Sequence, residues 1–234
     1  MIGFYDYTVI LTYLSLASAV TGCIVSLSGA GHPFMGMYFL LFCGLCDTFD
    51  GQVARSKPNR TEAEKAFGIQ IDSLADLVAF GVLPACIGIG IAWTGIKYPN
   101  ITLLKLEAAI GHYRLYTILF MAIVVFYTLA ALIRLAYFNV LAEEKLTTGK
   151  GQPGYIGLPV TAAALIFPMI CLFQFLSPRD HTLTYFAGLL IVGILFLCKF
   201  RITKPGKREI GIMLAIGTIE FIIALVLRFV LPPR

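Results

Sequence analysis

The chain has 234 residues, of which 59% are hydrophobic and only 13% are charged, and its formal net charge is +5. A soluble domain carries about a quarter charged residues, so a hydrophobic core alone cannot account for the apolar excess. The composition therefore excludes an ordinary soluble domain and predicts a protein whose surface is largely solvated by lipid.

Seven apolar segments follow one another along the chain, each near the ~20 residues that a helix needs to cross a bilayer. Glycine, proline and charged residues separate them, as in RSKPNRTEAEK and EEKLTTGKGQPG. We expect an all-α polytopic membrane protein that forms a single membrane domain over residues 1–234, with no cleavable signal peptide. The predicted spans are about 8–29, 34–54, 68–95, 115–140, 156–176, 183–200 and 209–231.

Lysine and arginine are unevenly distributed between the two sets of connections. With the N-terminus placed inside, eleven of them fall in the cytoplasmic connections and six on the opposite side. Cytoplasmic loops carry an excess of positive charge, so this distribution favours an N-terminus inside the cell. The expected location is the cytoplasmic membrane.

Cys43 and Cys46 form a C-x-x-C spacing, which also occurs in redox and zinc sites. Here the pair lies within a predicted helix and has no second cluster of Cys or His nearby. We interpret both as small buried side chains.

Four aspartates lie where two neighbouring spans approach the same connection. Asp47 and Asp50 are near the end of the second span, and Asp72 and Asp76 are near the start of the third. A carboxylate in or near hydrocarbon costs about 2.5–3.5 kcal/mol even on the mildest scale. Four such carboxylates together indicate that the protein uses them for a function.

The spacing of these aspartates predicts that they converge. Residues three or four positions apart share a helix face, which groups Asp47 with Asp50 and Asp72 with Asp76. Since one cytoplasmic connection joins the two helices, both faces lie at the same depth. Four carboxylates would repel one another, and hard cations that take oxygen ligands would offset the repulsion. We expect Mg²⁺ or Mn²⁺, with Ca²⁺ as a substitute in crystals.

Small residues border the same faces. Gly51 and Ala54 follow the first pair of aspartates, and Gly68 lies one turn before the second, which leaves room for a bulky ligand. Arg55 ends the second span and can meet a phosphate. A metal, a phosphate and a membrane interface together suggest a lipid pyrophosphate as substrate.

Other interpretations of the aspartates remain open. Two carboxylates at a helix end can be solvated or act as caps, although Asp76 lies a turn inside the third span. An ion or proton path of the kind found in transporters would also use them. So would a non-catalytic metal that only holds two helices together.

Eight positions in a fixed order resemble the signature of the CDP-alcohol phosphatidyltransferases: Asp47, Asp50, Gly51, Ala54, Arg55, Gly68, Asp72 and Asp76. That family usually has eight residues between the arginine and the second glycine, whereas twelve intervene here, at 56–67. The extra length falls in a polar connection, where it is tolerated.

Within this family the chain is most similar to the membrane-spanning phosphatidylserine synthases. The segments that carry this likeness are DSLADLVAFGVLPA, RLAYFNV and GLPVTAAA. The first span departs from the usual Pro-Asn-x-x-Thr pattern of the family, and only Thr12 and Ser15 align with it.

The resemblance implies a six-helix core over about 8–200, an extra span at about 209–231, a homodimer and a site of two metal ions open to the cytoplasm. It implies that Asp47, Asp50, Asp72 and Asp76 bind metal and that Asp76 is also the general base. The residues it implies for binding CDP are Asp47, Gly51, Ala54, Arg55, Gly68, Thr12 and Ser15.

The reaction implied is transfer of a phosphatidyl group from CDP-diacylglycerol to L-serine, giving phosphatidylserine and CMP. Arg134, Asn139 and Thr161 are the candidates for acceptor binding, although Arg134 could instead snorkel toward the interface. Glycerol phosphate or an inositol species as acceptor, and an ion-coupled transporter, are the alternatives. We expect no nucleic-acid partner.

Overall fold

A computed structural model of the chain describes residues 3–28, 35–97, 113–148, 155–176, 182–202 and 207–230. Helices dominate these residues. A 3-10 turn, Tyr7–Val9, precedes the first helix, and a π-helical segment, Leu77–Val82, joins the third to the fourth. The α-helices in chain order are α1 Ile10–Leu27, α2 Gly36–Ser56, α3 Glu62–Asp76, α4 Leu83–Lys97, α5 Tyr113–Thr148, α6 Ala163–Leu176, α7 Thr182–Leu197 and α8 Lys207–Val230.

Several of these helices are suited to a bilayer. In the described part of the chain, the stretches long and apolar enough to cross a membrane are Tyr7–Leu27, Glu62–Trp93, Leu115–Leu141 and Arg208–Val226. Shorter apolar helices occur at Val160–Phe173 and Thr182–Leu197. The prediction of an all-α polytopic membrane protein is confirmed.

The third helix begins at Glu62, six residues before the predicted start of its span at 68. Thr61 and Glu64 form a capping box, in which the Thr61 hydroxyl accepts from the Glu64 N–H at 3.2 Å and the Glu64 carboxylate accepts from the Thr61 N–H at 2.7 Å. These bonds satisfy N–H groups that a helix start leaves unpaired, so the helix extends into polar sequence.

The helix predicted over 156–176 begins as a 3-10 turn at Val160–Ala162 and continues as the α-helix from Ala163. Before it, Gly157 has a φ of 77°, a left-handed value that favours glycine, and Pro159 is extended. Tyr155–Ile156 pairs antiparallel with Arg201–Ile202 as two short strands. The chain therefore enters α6 through a structured loop.

The first two helices pack closely. Buried residues on α1 recur every three or four positions, and they include Thr12, Ser15, Ala19 and Gly22. A Cβ atom on Gly22 would lie 2.8 Å from the Cβ of Phe39 on α2. Small side chains permit this close approach, as in other membrane helix pairs.

Cys43 and Cys46 are free cysteines and both are buried, which confirms their interpretation as small buried side chains.

The last helix, α8, packs on the bundle. Tyr38 on α2 donates its hydroxyl to the Ala224 carbonyl at 2.9 Å, and its ring meets Phe221 edge to face. The predicted extra span at 209–231 is therefore attached to α2.

The connection from α2 to α3 is held by an ionic network centred on Lys57. The Lys57 ammonium lies 2.7 Å from a carboxylate oxygen of Asp6 and 2.7 Å from one of Glu64. The hydrogen bond from Lys57 is the main reason that the pKa of Asp6 falls from 3.8 to about 2. The N-terminal segment is thereby tied to the connection.

The pKa of Asp6 is lower in the folded protein than in the unfolded chain. The ionised Asp6 carboxylate therefore stabilises the fold above pH 3.8, and this stabilisation is lost as the pH falls toward about 2. We predict that Asp6→Asn lowers the unfolding temperature of the detergent-solubilised protein at about pH 6, with a difference from wild type that shrinks below about pH 4. Glu62→Gln, at a carboxylate that is 85% exposed, serves as the control. A difference that is independent of pH would contradict this role.

Candidate active site

Three aspartates meet where α2 ends and α3 continues from its polar start. One carboxylate oxygen from each of Asp47, Asp50 and Asp72 lies within 4.8 Å of the other two. All three residues are partly buried. The predicted convergence of the two helix faces is therefore present for these three residues.

The donor set at this cluster consists of carboxylate oxygens alone. In the part of the chain that the structure describes, none of the ion pairs formed by lysine or arginine involves these aspartates. Three close anions without a cationic partner, all offering oxygen, fit a hard divalent cation better than zinc, which favours nitrogen and sulfur. The cluster could therefore hold a divalent metal ion.

Asp76 lies one turn beyond Asp72, away from the connection, and is only 9% exposed. Among the described acidic residues it is not part of the set of carboxylates within 4.8 Å of one another. Its predicted roles as metal ligand and base stay predictions.

Arginine side chains lie over both glycines of the motif. A Cβ atom on Gly51 would lie 3.2 Å from Nη1 of Arg55, and one on Gly68 would lie 2.6 Å from Nη2 of Arg60. Arg60 also donates to the Ala54 carbonyl at 3.4 Å and to the Glu64 carbonyl at 3.0 Å. The space that these small residues leave open is thus bordered by two guanidinium groups.

Arg60 was not among the predicted site residues. It belongs to the segment 56–67, whose length departs from the usual family pattern. The available signal was an arginine in a polar segment flanked by two motif residues that leave room for a phosphate ligand.

Thr12 and Ser15 are buried residues of α1, 5% and 3% exposed. The Ser15 carbonyl accepts from the Cys43 thiol at 3.3 Å, while the Ser15 hydroxyl has no hydrogen-bond partner among the described residues. Both residues therefore have a packing role, and their binding of CDP stays a prediction.

Two of the residues predicted for acceptor binding hold the helices around the cluster. Arg134 is 5% exposed and donates from Nε to the Leu158 carbonyl at 3.1 Å, so the interpretation as a snorkelling side chain is wrong. Asn139 accepts from the Ser73 hydroxyl at 2.8 Å. The partners in these two bonds are close in sequence to predicted site residues: Ser73 follows Asp72, and Leu158 lies three residues before Thr161.

Thr161 lines a cavity of about 460 Å³ between α2, α6 and α8. Asp47 and Thr48 are also in its lining, and Leu45 and Leu165 are among its apolar walls. The cavity therefore borders Asp47, one member of the carboxylate cluster, and most of its other lining residues are apolar.

Residues 8–198 match the family described as CDP-alcohol phosphatidyltransferase, and these residues include the three clustered aspartates and both motif glycines. The chain belongs to this family. The match ends before α8, so the last helix of this CDP-alcohol phosphatidyltransferase family member lies outside the matched region.

Among its relatives is the CDP-diacylglycerol–serine O-phosphatidyltransferase of Saccharomyces cerevisiae, 32% identical over 169 residues, which are 70% of this chain and 52% of that protein. The protein of the same name from Helicobacter pylori strain 26695 is 26% identical over 212 residues, covering 88% of this chain and 76% of the relative. Archaetidylserine synthase of Methanothermobacter thermautotrophicus is 30% identical over 168 residues, 72% of this chain and 58% of the relative.

This family member thus spans about half the length of its yeast relative. No solved structure matches the chain at a significant level.

We predict that Mn²⁺ raises the unfolding temperature of the solubilised protein, because it relieves the repulsion among Asp47, Asp50 and Asp72 only in the folded state. Saturation at about 100 times the dissociation constant would add about 2.7 kcal/mol of stability. Asp72→Asn should remove most of this effect, and Glu62→Gln, an exposed acid on the same helix, should retain it. Equal Mn²⁺ stabilisation of both variants would rule out the cluster as the metal site.

Proposed function

We propose that this protein transfers a phosphatidyl group from CDP-diacylglycerol to the hydroxyl of L-serine and releases phosphatidylserine and CMP. The observation that carries the proposal is the carboxylate cluster of Asp47, Asp50 and Asp72 beside two arginines. A nucleotide pyrophosphate is an anion that takes both a divalent cation and guanidinium groups. Serine as the acceptor is supported by the names of the yeast and Helicobacter relatives.

The cavity between α2, α6 and α8 suits the lipid part of this substrate. Asp47 lines this cavity together with mostly apolar residues, so a diacylglycerol chain could lie between the helices while the phosphates stay at the carboxylates. Burial of the chain contributes about 0.8 kcal/mol per CH₂ group. This arrangement assigns the substrate's polar and apolar ends to adjacent parts of one site.

We also propose that the N-terminus lies inside the cell and that the carboxylate cluster lies on the cytoplasmic side of the bilayer. The distribution of lysine and arginine between the connections supports this orientation. CDP-diacylglycerol could then present its nucleotide to the cluster from the inner leaflet. We also propose one membrane domain over residues 1–234 and a homodimer.

In the proposed reaction the serine oxygen attacks the phosphorus that carries diacylglycerol. A new P–O bond forms, the P–O bond to CMP breaks, and CMP leaves with the bonding electron pair. Asp76 takes the hydroxyl proton, since it is the buried carboxylate next to the cluster, and thereby makes serine a better nucleophile. Arg55 and Arg60 bind the phosphates, while Gly51, Ala54, Gly68, Thr12 and Ser15 border the nucleotide.

Asp47, Asp50 and Asp72, with Asp76 at their edge, would hold the metal, which we propose to be two ions of Mg²⁺ or Mn²⁺. When bound, the metal supplies positive charge that stabilises the charge developing on the phosphate oxygens. The acceptor is proposed to lie near Arg134, Asn139 and Thr161, where a cation can meet its carboxylate.

We predict that the purified protein releases CMP from CDP-diacylglycerol when serine and a divalent metal are present, and more slowly with glycerol phosphate or inositol. Asp76→Asn is the control and should lower kcat by about 10²–10⁴-fold. CMP release with another acceptor but not serine would change only the acceptor. No release with any acceptor, together with ion flux into liposomes, would establish the transporter alternative.

We predict that Arg60→Ala raises the KM for CDP-diacylglycerol about tenfold or more, since a charged hydrogen bond contributes about 1.5–3 kcal/mol. Its effect on kcat should be smaller, because the phosphate contact is present in the ground state as well. Lys65→Ala is the matched control, since Lys65 is a cation of the same region that pairs with the exposed Glu62 at 2.7 Å. Equal KM values for the two variants would exclude Arg60 from the phosphate site.

A further inference from the structure

The long helix that carries Asp72 and Asp76 widens immediately after Asp76. Leu77–Val82 is π-helical, and the N–H of Leu83 donates to the Val78 carbonyl five residues earlier. An α-helix advances about 100° per residue. One extra residue in a turn therefore rotates the helical segment before the turn about the helix axis, relative to the segment after it. The wide turn therefore sets which way the aspartates face relative to α4.

The position of the wide turn follows from Pro84. Proline has no N–H, and its ring collides with the carbonyl four residues earlier, which here belongs to Phe80. The Phe80 carbonyl thus loses the donor that an α-helix would supply. Tyr127 on α5 donates its hydroxyl to this oxygen at 2.6 Å.

The Tyr127 side chain is held firmly enough to fix that bond. It is fully buried, and its ring packs edge to face on Phe167 and against Phe196. The wide turn also lies close to α5, because a Cβ atom on Gly81 would be 3.2 Å from the Cβ of Ala131. The turn is therefore fixed from α5 by one hydroxyl and by close packing.

We propose that Tyr127 is a positioning residue for the carboxylate site. By donating to the Phe80 carbonyl, whose donor four residues along the helix is removed by Pro84, it maintains the wide turn and with it the orientation of Asp72 and Asp76. The test by CMP release rests on the proposed function, whereas the test by metal binding does not.

Tyr185 offers a closely matched comparison. It is 1% exposed and donates its hydroxyl at 2.9 Å to the carbonyl of Pro84, four residues after Phe80 on the same continuous helix. That carbonyl lies in α4, past the wide turn, and Gly88 retains the N–H that serves it in an α-helix. Loss of the Tyr185 hydroxyl removes a buried bond of the same kind without touching the turn.

The experiment compares Tyr127→Phe with Tyr185→Phe in the full-length protein, using Mn²⁺ titrations of the unfolding temperature and of CMP release. We expect both variants to unfold at a lower temperature than wild type. Tyr127→Phe should raise the Mn²⁺ midpoint about 10–100-fold, as loss of supporting groups around metal ligands does. Tyr185→Phe should leave the midpoint unchanged.

Equal midpoints for the two variants would overturn the proposal. If Tyr127→Phe does not fold, Pro84→Ala decides, because it returns a donor to the Phe80 carbonyl and permits an ordinary α-turn. A raised Mn²⁺ midpoint in Pro84→Ala would support the positioning role, and an unchanged one would overturn it. Absence of CMP release from wild type would defeat the proposed reaction, while the Mn²⁺-dependent unfolding temperature would still test Tyr127.

Discussion

The burial of several carboxylates in one small volume is the constraint on which the rest of the structure depends. Asp47, Asp50 and Asp72 place oxygens within 4.8 Å of one another at the edge of an apolar bundle, and Asp76 is buried beside them. Each charge loses hydration and repels its neighbours, so the arrangement opposes folding unless a cation offsets it. Surrounding bonds must also prevent the helices from moving apart to relieve the repulsion.

Those bonds come from elements that are far apart in the chain. Small residues let α1 approach α2, while Lys57 joins the N-terminal segment to the start of α3 through Asp6 and Glu64. In addition, the Ser73 hydroxyl on α3 donates to Asn139 on α5 at 2.8 Å. The helices that carry the aspartates are therefore held by contacts with several other elements.

The sequence predicted what depends on local spacing. Residues three or four apart share a helix face, which is why the convergence of Asp47, Asp50 and Asp72 was predictable, and long apolar segments identified the helices. The start of α6 could not be predicted from spacing, because it depends on the left-handed conformation of Gly157. The Asp6–Lys57 pair could not be predicted either, because the two residues are 51 positions apart in the sequence.

The burial of Arg134 also depends on tertiary structure, because it requires Leu158 to fold back onto α5. Pro84 was visible in the sequence, but a proline in a span can produce a kink, a break or a wide turn, and packing decides among them.

The helix α5 supports the carboxylates on both sides of Asp76. Asn139 bonds to Ser73, one turn before Asp76, and Tyr127 bonds to Phe80, one turn after it. Since these contacts are twelve residues apart on one rigid helix, α3 and the wide turn cannot rotate independently without breaking one of them. The acceptor proposed to lie near Asn139 would contact the same helix that holds α3 and the wide turn. The orientation of Asp72 and Asp76 therefore depends on the packing of α3 against α5.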